Sequence, residues 1–162
     1  MATHAYDRYL THHATDWRAA TWAGLIAGVV FLMVEMLMVA VFEGQSPWGP
    51  PRMMAAMLMG KDVLPPPADF DFGIVMVAML IHFPLALVYG LVIGWVVHRF
   101  SPSLALVTGL VIGFAIYLIN FYPIAAAMFP WFAMARGWVS AVAHMIFGLA
   151  AAGAYVALRR RD

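Results

Sequence analysis

Four polar side chains stand inside stretches that are otherwise apolar enough to cross a bilayer: Glu35, His82, Asn120 and His144. An ionisable group at such depth is costly, and a functional role is its default reading. Two imidazoles and a carboxylate make a ligand set for a transition metal. Imidazole suits Zn, Cu, Fe and Ni, and a carboxylate completes a three-ligand arrangement at Glu35, His82 and His144. The same three residues could relay protons. Alternatively, His82 and His144 are the two axial ligands of a b-type haem, with nearby glycine and alanine making room for the macrocycle. Glu35 argues mildly against haem, because a carboxylate beside a porphyrin needs its own reason to exist. Each residue also has a structural reading. Glu35 could be an acid hydrogen-bonded to a neighbouring helix, the histidines could donate to backbone carbonyls, and Asn120 could be interhelical glue. Pro84 frees the Leu80 carbonyl beside His82, as a binding feature or as an ordinary kink.

Other chemistries find less support. Cysteine is absent, which excludes disulfides, thiolate metal sites, iron–sulfur clusters and covalently attached haem. Ser140 precedes His144 by one turn, but a helical hydroxyl in lipid usually bonds its own backbone; no hydrolase is expected and the enzyme question stays open. No nucleotide-binding glycine loop appears. Met53 and Met57, and Met33, Met36 and Met38 beside Glu35, offer soft thioethers to Cu(I), though methionine is more often an apolar filler. His4, His12 and His13 belong to a polar tail. Asp62, Asp69 and Asp71 hydrate a loop or attract a cation there.

These residues need elements to hold them, and composition says which kind. Of 162 residues, 65% are hydrophobic and 10% charged, with a mean hydropathy of +0.87, whereas a soluble domain is about 25% charged. The reading is an all-α integral membrane protein with four transmembrane helices in a bundle and the lipid bilayer as its medium. Net charge is +1, and no charged block points to nucleic acid. The spans are expected at about 19–42, 72–97, 102–122 and 137–158, in one membrane domain covering 1–162. An outer loop at 43–71 contains a short helix, Pro51 to Gly60, started by proline and stopped by glycine. Too short to span, it is expected to lie along the interface. A second outer loop covers 123–136, and a basic tail closes the chain at 159–162. Asp7 and Asp16 in the polar opening segment mark the first span as retained rather than a signal peptide. Six of the nine basic residues (Arg8, Arg18, Arg99, Arg159, Arg160, Arg161) fall on the side of the termini and three (Arg52, Lys61, Arg136) on the other. The positive-inside rule then places both termini in the cytoplasm, and a bacterial inner membrane is the expected location.

The spans repeat. Gly24, Gly28 and Glu35 each lie 85 residues before Gly109, Gly113 and Asn120. Ala78, His82 and Ala86 each lie 62 residues before Ser140, His144 and Gly148. The chain therefore reads as a tandem repeat of two helical hairpins, related by a pseudo-two-fold axis along the membrane normal. At about 100° per residue, eleven residues return to nearly the same direction. Gly24, Gly28 and Glu35 thus share a face, and small residues on that face permit close helix approach. The four polar groups all fall within about three turns of the outer interface.

Three function classes follow: a metal or proton site in the outer half of the bundle, a structural or assembly subunit without a ligand, and a b-haem electron carrier. Four helices enclose little room for a transport path, so a transporter is expected to form a homodimer or join a larger membrane complex.

Overall fold

The computed structural model describes residues 14–160. His4, His12, His13, Arg8 and Arg161 lie outside the described residues. Helix α1, Trp17–Phe42, begins where the Asp16 carboxylate accepts the Ala19 N–H at 3.0 Å, a side-chain cap for an otherwise orphaned donor. The short helix α2 is Gly49–Met59, with prolines in its first turn. Helix α3, Phe72–Val97, is capped by Asp71 accepting from Ile74 N–H at 2.9 Å, and Pro84 sits inside it without ending it. Helix α4 covers Pro102–Met128 and α5 covers Trp138–Leu158. Among the described residues the chain forms helices and no strand.

Helices α1, α3, α4 and α5 have 21 to 27 residues each and are apolar enough to cross a membrane. At about 1.5 Å per residue they match a hydrocarbon core of about 30 Å. Their outward faces carry Met33, Leu37, Leu80 and Val107, all more than half exposed. Water would not tolerate such a surface; lipid does.

Fourth-helix geometry departs from expectation. Helix α4 does not stop near Tyr122-Pro123 but runs on to Met128 through one π turn, Asn120–Ile124. Proline supplies no N–H to the preceding turn, and the wider turn absorbs that loss: Ala125 N–H bonds the Asn120 carbonyl instead. The Phe121 carbonyl is then taken by Arg136 Nε at 2.9 Å.

Helix α1 packs along α3 on one side and α5 on the other, and α5 packs along α4, while α3 and α4 scarcely touch. Glycine permits these approaches. A Cβ at Gly24 would come within 2.7 Å of the Ala86 carbonyl oxygen, and one at Gly28 within 2.9 Å of Ala86 Cβ. In the other hairpin Gly109 lies against Gly148, and Gly113 against the His144 carbonyl. The half of the bundle nearer the termini is filled with small side chains, Ala19, Ala20, Ala23, Ala27, Ala151 and Ala152, around Ile93, Val97 and Tyr155. Two tethers close that end. Asp16 accepts Arg160 N–H at 3.3 Å, and Arg159 donates to the carbonyls of His98 and Phe100 at 2.9 and 3.0 Å.

The opposite end is covered by α2 and by the 3₁₀ turns Lys61–Val63 and Pro130–Ala135. Arg52 gathers the loop by donating to the carbonyls of Val63 and Asp69. Trp131 Nε1 donates to the Met53 carbonyl at 3.0 Å, joining the two loops. Ala78 of α3 is fully buried in a cluster with Ala55 of α2.

Candidate intramembrane site

Glu35 is 5% exposed, on the inner face of α1. Its Oε1 accepts a hydrogen bond from Ser140 Oγ of α5 at 2.7 Å. This corrects the expectation that the Ser140 hydroxyl bonds its own backbone: the packing of α1 on α5 puts a carboxyl oxygen of Glu35 in reach. Among the described residues, Glu35 Oε2 is the one buried side-chain polar atom with no partner. Buried polar groups are nearly always paired, so an orphan needs an explanation.

The histidines are each held by a carbonyl. His82 Nε2 lies 3.0 Å from the Gly28 carbonyl oxygen, across the α1–α3 contact that Gly28 makes possible. His144 Nδ1 lies 2.7 Å from the Ser140 carbonyl oxygen, one turn back on its own helix. A carbonyl can only accept, so these contacts assign the proton to Nε2 of His82 and to Nδ1 of His144. The Phe31 ring packs against both imidazoles, stacked on His82 with centroids 5.6 Å apart and edge-on to His144 at 4.8 Å.

That arrangement does not gather Glu35, His82 and His144 into one ligand set. Among the described residues no group of three or more His, Asp or Glu side chains is placed to hold a metal ion. Nor does it suit a haem: His82 Nε2 is committed to Gly28, and a macrocycle between the imidazoles would have to displace Phe31.

Three of the four polar residues, Glu35, Asn120 and His144, border one cavity. That cavity, of about 350 Å³, lies under α2, in the seam where α3 and α4 fail to meet. Glu35, Asn120, Tyr89 and His144 lie in its wall, and the rest is apolar, including Phe31, Phe121, Phe132 and the methionines Met53, Met54 and Met57. A smaller void of about 60 Å³, lined by Phe31, His82, Tyr89, Asn120 and His144 among others, adjoins it. Asn120 Oδ1 accepts from the Tyr89 hydroxyl at 2.7 Å, bridging α4 and α3 across the seam. Sequence reasoning missed Phe31 and Tyr89. Both were findable, since Phe31 precedes Glu35 by one turn and Tyr89 follows His82 by two, on the same faces.

Spans, burial and cavity together define a small polytopic integral membrane protein. Compared with protein-family models, with curated proteins and with solved structures, the chain has no significant match in any of the three.

Proposed function

We propose that this protein binds and releases a proton at Glu35, inside a membrane cavity that opens toward the end bearing the proline-rich loop. The observation that carries the reading is the unpaired Oε2 of a carboxyl that is 5% exposed and borders that cavity. Ser140 fixes the other oxygen, so the carboxyl is held in one orientation with Oε2 unpartnered. His82, His144 and Asn120 each bond a protein partner, and Glu35 is the one acid in the cavity wall. Neither the metal centre nor the haem keeps a comparable observation in its favour.

The setting of the site follows the sequence reading. The loop end faces outward, both termini are cytoplasmic, α2 lies at the interface, and the location is a bacterial inner membrane. Two repeats related by a pseudo-two-fold are supported by the matched contacts, Gly24 with Ala86 in the first hairpin and Gly109 with Gly148 in the second. Their polar positions have diverged: Glu35 reaches Ser140 of the other hairpin, and Asn120 reaches Tyr89.

Infrared difference spectra of the reconstituted protein at two pH values test the proposal. A carboxyl C=O band that titrates in the wild type, vanishes in Glu35→Gln and shifts in Ser140→Ala is expected. Wild-type and Glu35→Gln difference spectra that superimpose would reduce Glu35 to a structural acid and return the protein to the class of ligand-free subunits.

A further inference from the structure

We infer that the loop-end cavity binds a small lipophilic organic cation, an aromatic or branched-alkyl body carrying one ammonium group, in exchange for the proton on Glu35. The inference rests on the proton-binding reading of that residue.

Size comes first. About 350 Å³ falls within the range of small-molecule pockets, roughly 300–1,000 Å³. The walls then set the body of the ligand: Phe31, Phe121 and Phe132 with the thioethers of Met53, Met54 and Met57 make an apolar lining. Such rings also attract a cation over their faces.

Charge sets the head group. Glu35 is the one acid in the lining, and no lysine or arginine lines the cavity. The basic residues of the two loops are engaged elsewhere: Arg52 on the Val63 and Asp69 carbonyls, Arg136 on the Phe121 carbonyl and over the Tyr122 ring, Lys61 over Trp131. An anionic ligand would meet uncompensated like charge, and a neutral hydrogen-bonding ligand would find Asn120 and Tyr89 already bonded to each other. A cation meets Glu35, the one acid of the wall.

The exchange balances. The carboxylic acid of Glu35 loses its proton to water, the carboxylate oxygen takes the ammonium group of the ligand, and the net charge inside the cavity does not change. Neither ion is left unpaired in the apolar interior, which would be the costly state. The titratable neighbours are few. His144 of α5 is tied through Nδ1 to its own helix, Tyr89 of α3 donates to Asn120, and His82 of α3 borders only the smaller void. Glu43 stands two turns further along α1, and α2 contributes no titratable side chain to the lining.

Calorimetric titration of the protein in lipid nanodiscs tests this, with empty discs as blank. The probe is benzyltrimethylammonium, and its neutral carbon isostere neopentylbenzene, delivered through the lipid, is the competitor. Repeating the titration in two buffers of different ionisation enthalpy counts the protons released. The expected result is saturable binding with about one proton released per cation, at least about tenfold weaker in Glu35→Gln, and little displaced by the isostere. Met54→Trp, which fills the cavity and keeps the acid, should abolish binding while the Glu35 infrared band persists. Absence of saturable binding, binding indifferent to Glu35→Gln, or equal competition by the isostere overturns the inference. If the titrating Glu35 band is present and the cation does not bind, only this inference falls; if the band is absent, the proton site falls with it.

Discussion

At the scale of single residues, Glu35 and Ser140 form a pair whose members are not equivalent. Ser140→Ala removes the donor and leaves both carboxyl oxygens unpartnered, so it should destabilise the protein by about 1–3 kcal/mol. Replacing the acid itself with a similar apolar volume, Glu35→Met, removes the unpaired atom and should leave thermal stability equal to or above wild type. Melting curves in one detergent compare the two. A Glu35→Met variant that unfolds well below Ser140→Ala would mean the carboxyl serves packing rather than exchange. Glu35 was legible in the sequence because a carboxylate in an apolar run has few innocent explanations. Ser140 was not: a helical serine has a ready acceptor in its own backbone, and only the packing of α1 on α5 puts a stronger one in reach. The histidines were legible as buried polar groups. Their partners were not, since the Gly28 carbonyl becomes an acceptor for His82 only once two helices touch.

At the scale of elements, runs of apolar residues made the four long helices easy to place, and the proline and glycine around α2 marked the short one. The end of α4 was hidden. Pro123 reads locally as a stop, and what lets the helix continue is Arg136, thirteen residues beyond Pro123, donating to the carbonyl that the π turn frees. Pro123→Ala restores the missing N–H and should draw the π turn toward ordinary α geometry. The rotation of Asn120 would break its bond to Tyr89; loss of the tyrosine's hydrogen-bonded ultraviolet signature reports that break, and an unchanged spectrum argues against it. Close packing gives a second test. Gly113→Ala would press a methyl group into the His144 carbonyl, in contact with Met145 Cα at 3.0 Å. It should cost about 1–3 kcal/mol, measured as a lower unfolding midpoint, whereas Gly137→Ala, with open space around it, should cost far less.

At the scale of the whole molecule, the two ends of the bundle are packed differently. Alanine and glycine bring the helices together near the termini, and hydrogen bonds from Arg159 and Arg160 tie the end of α5 to the turn between α3 and α4 and to Asp16 at the start of α1. At the loop end the α3–α4 seam parts around the cavity. The difference between the ends was not legible in the sequence, because which helix faces press together depends on side chains brought together only in the fold. The end nearer the termini predicts a pH response. The Ala19 N–H donated to Asp16, helped by Arg160, holds this carboxyl below its ordinary value against the opposing effect of burial. A depressed acid stabilises the fold above its unfolded value of about 3.9 and loses that contribution as pH falls through its lower folded value. Asp16→Ala should therefore cost about 1 kcal/mol near neutral pH, and the gap to wild type should close in strong acid. Thermal unfolding in detergent across pH checks the sign; a gap that widens on acidification contradicts it.

Because the chain contains no cysteine, one thiol at position 35 reports directly on whether that side chain faces a cavity reachable from the loop end. Sealed vesicles carrying Glu35→Cys are exposed to a small charged methanethiosulfonate from one side at a time, with Leu37→Cys, whose parent side chain is 63% exposed on the outer face of the bundle, as the lipid-facing comparison. The thiol at 35 should react from the side of the proline-rich loop, while the one at 37 stays unmodified. A position-35 thiol that is inert from both sides, or that reacts only from the side of the termini, would contradict an outward-opening site built on Glu35.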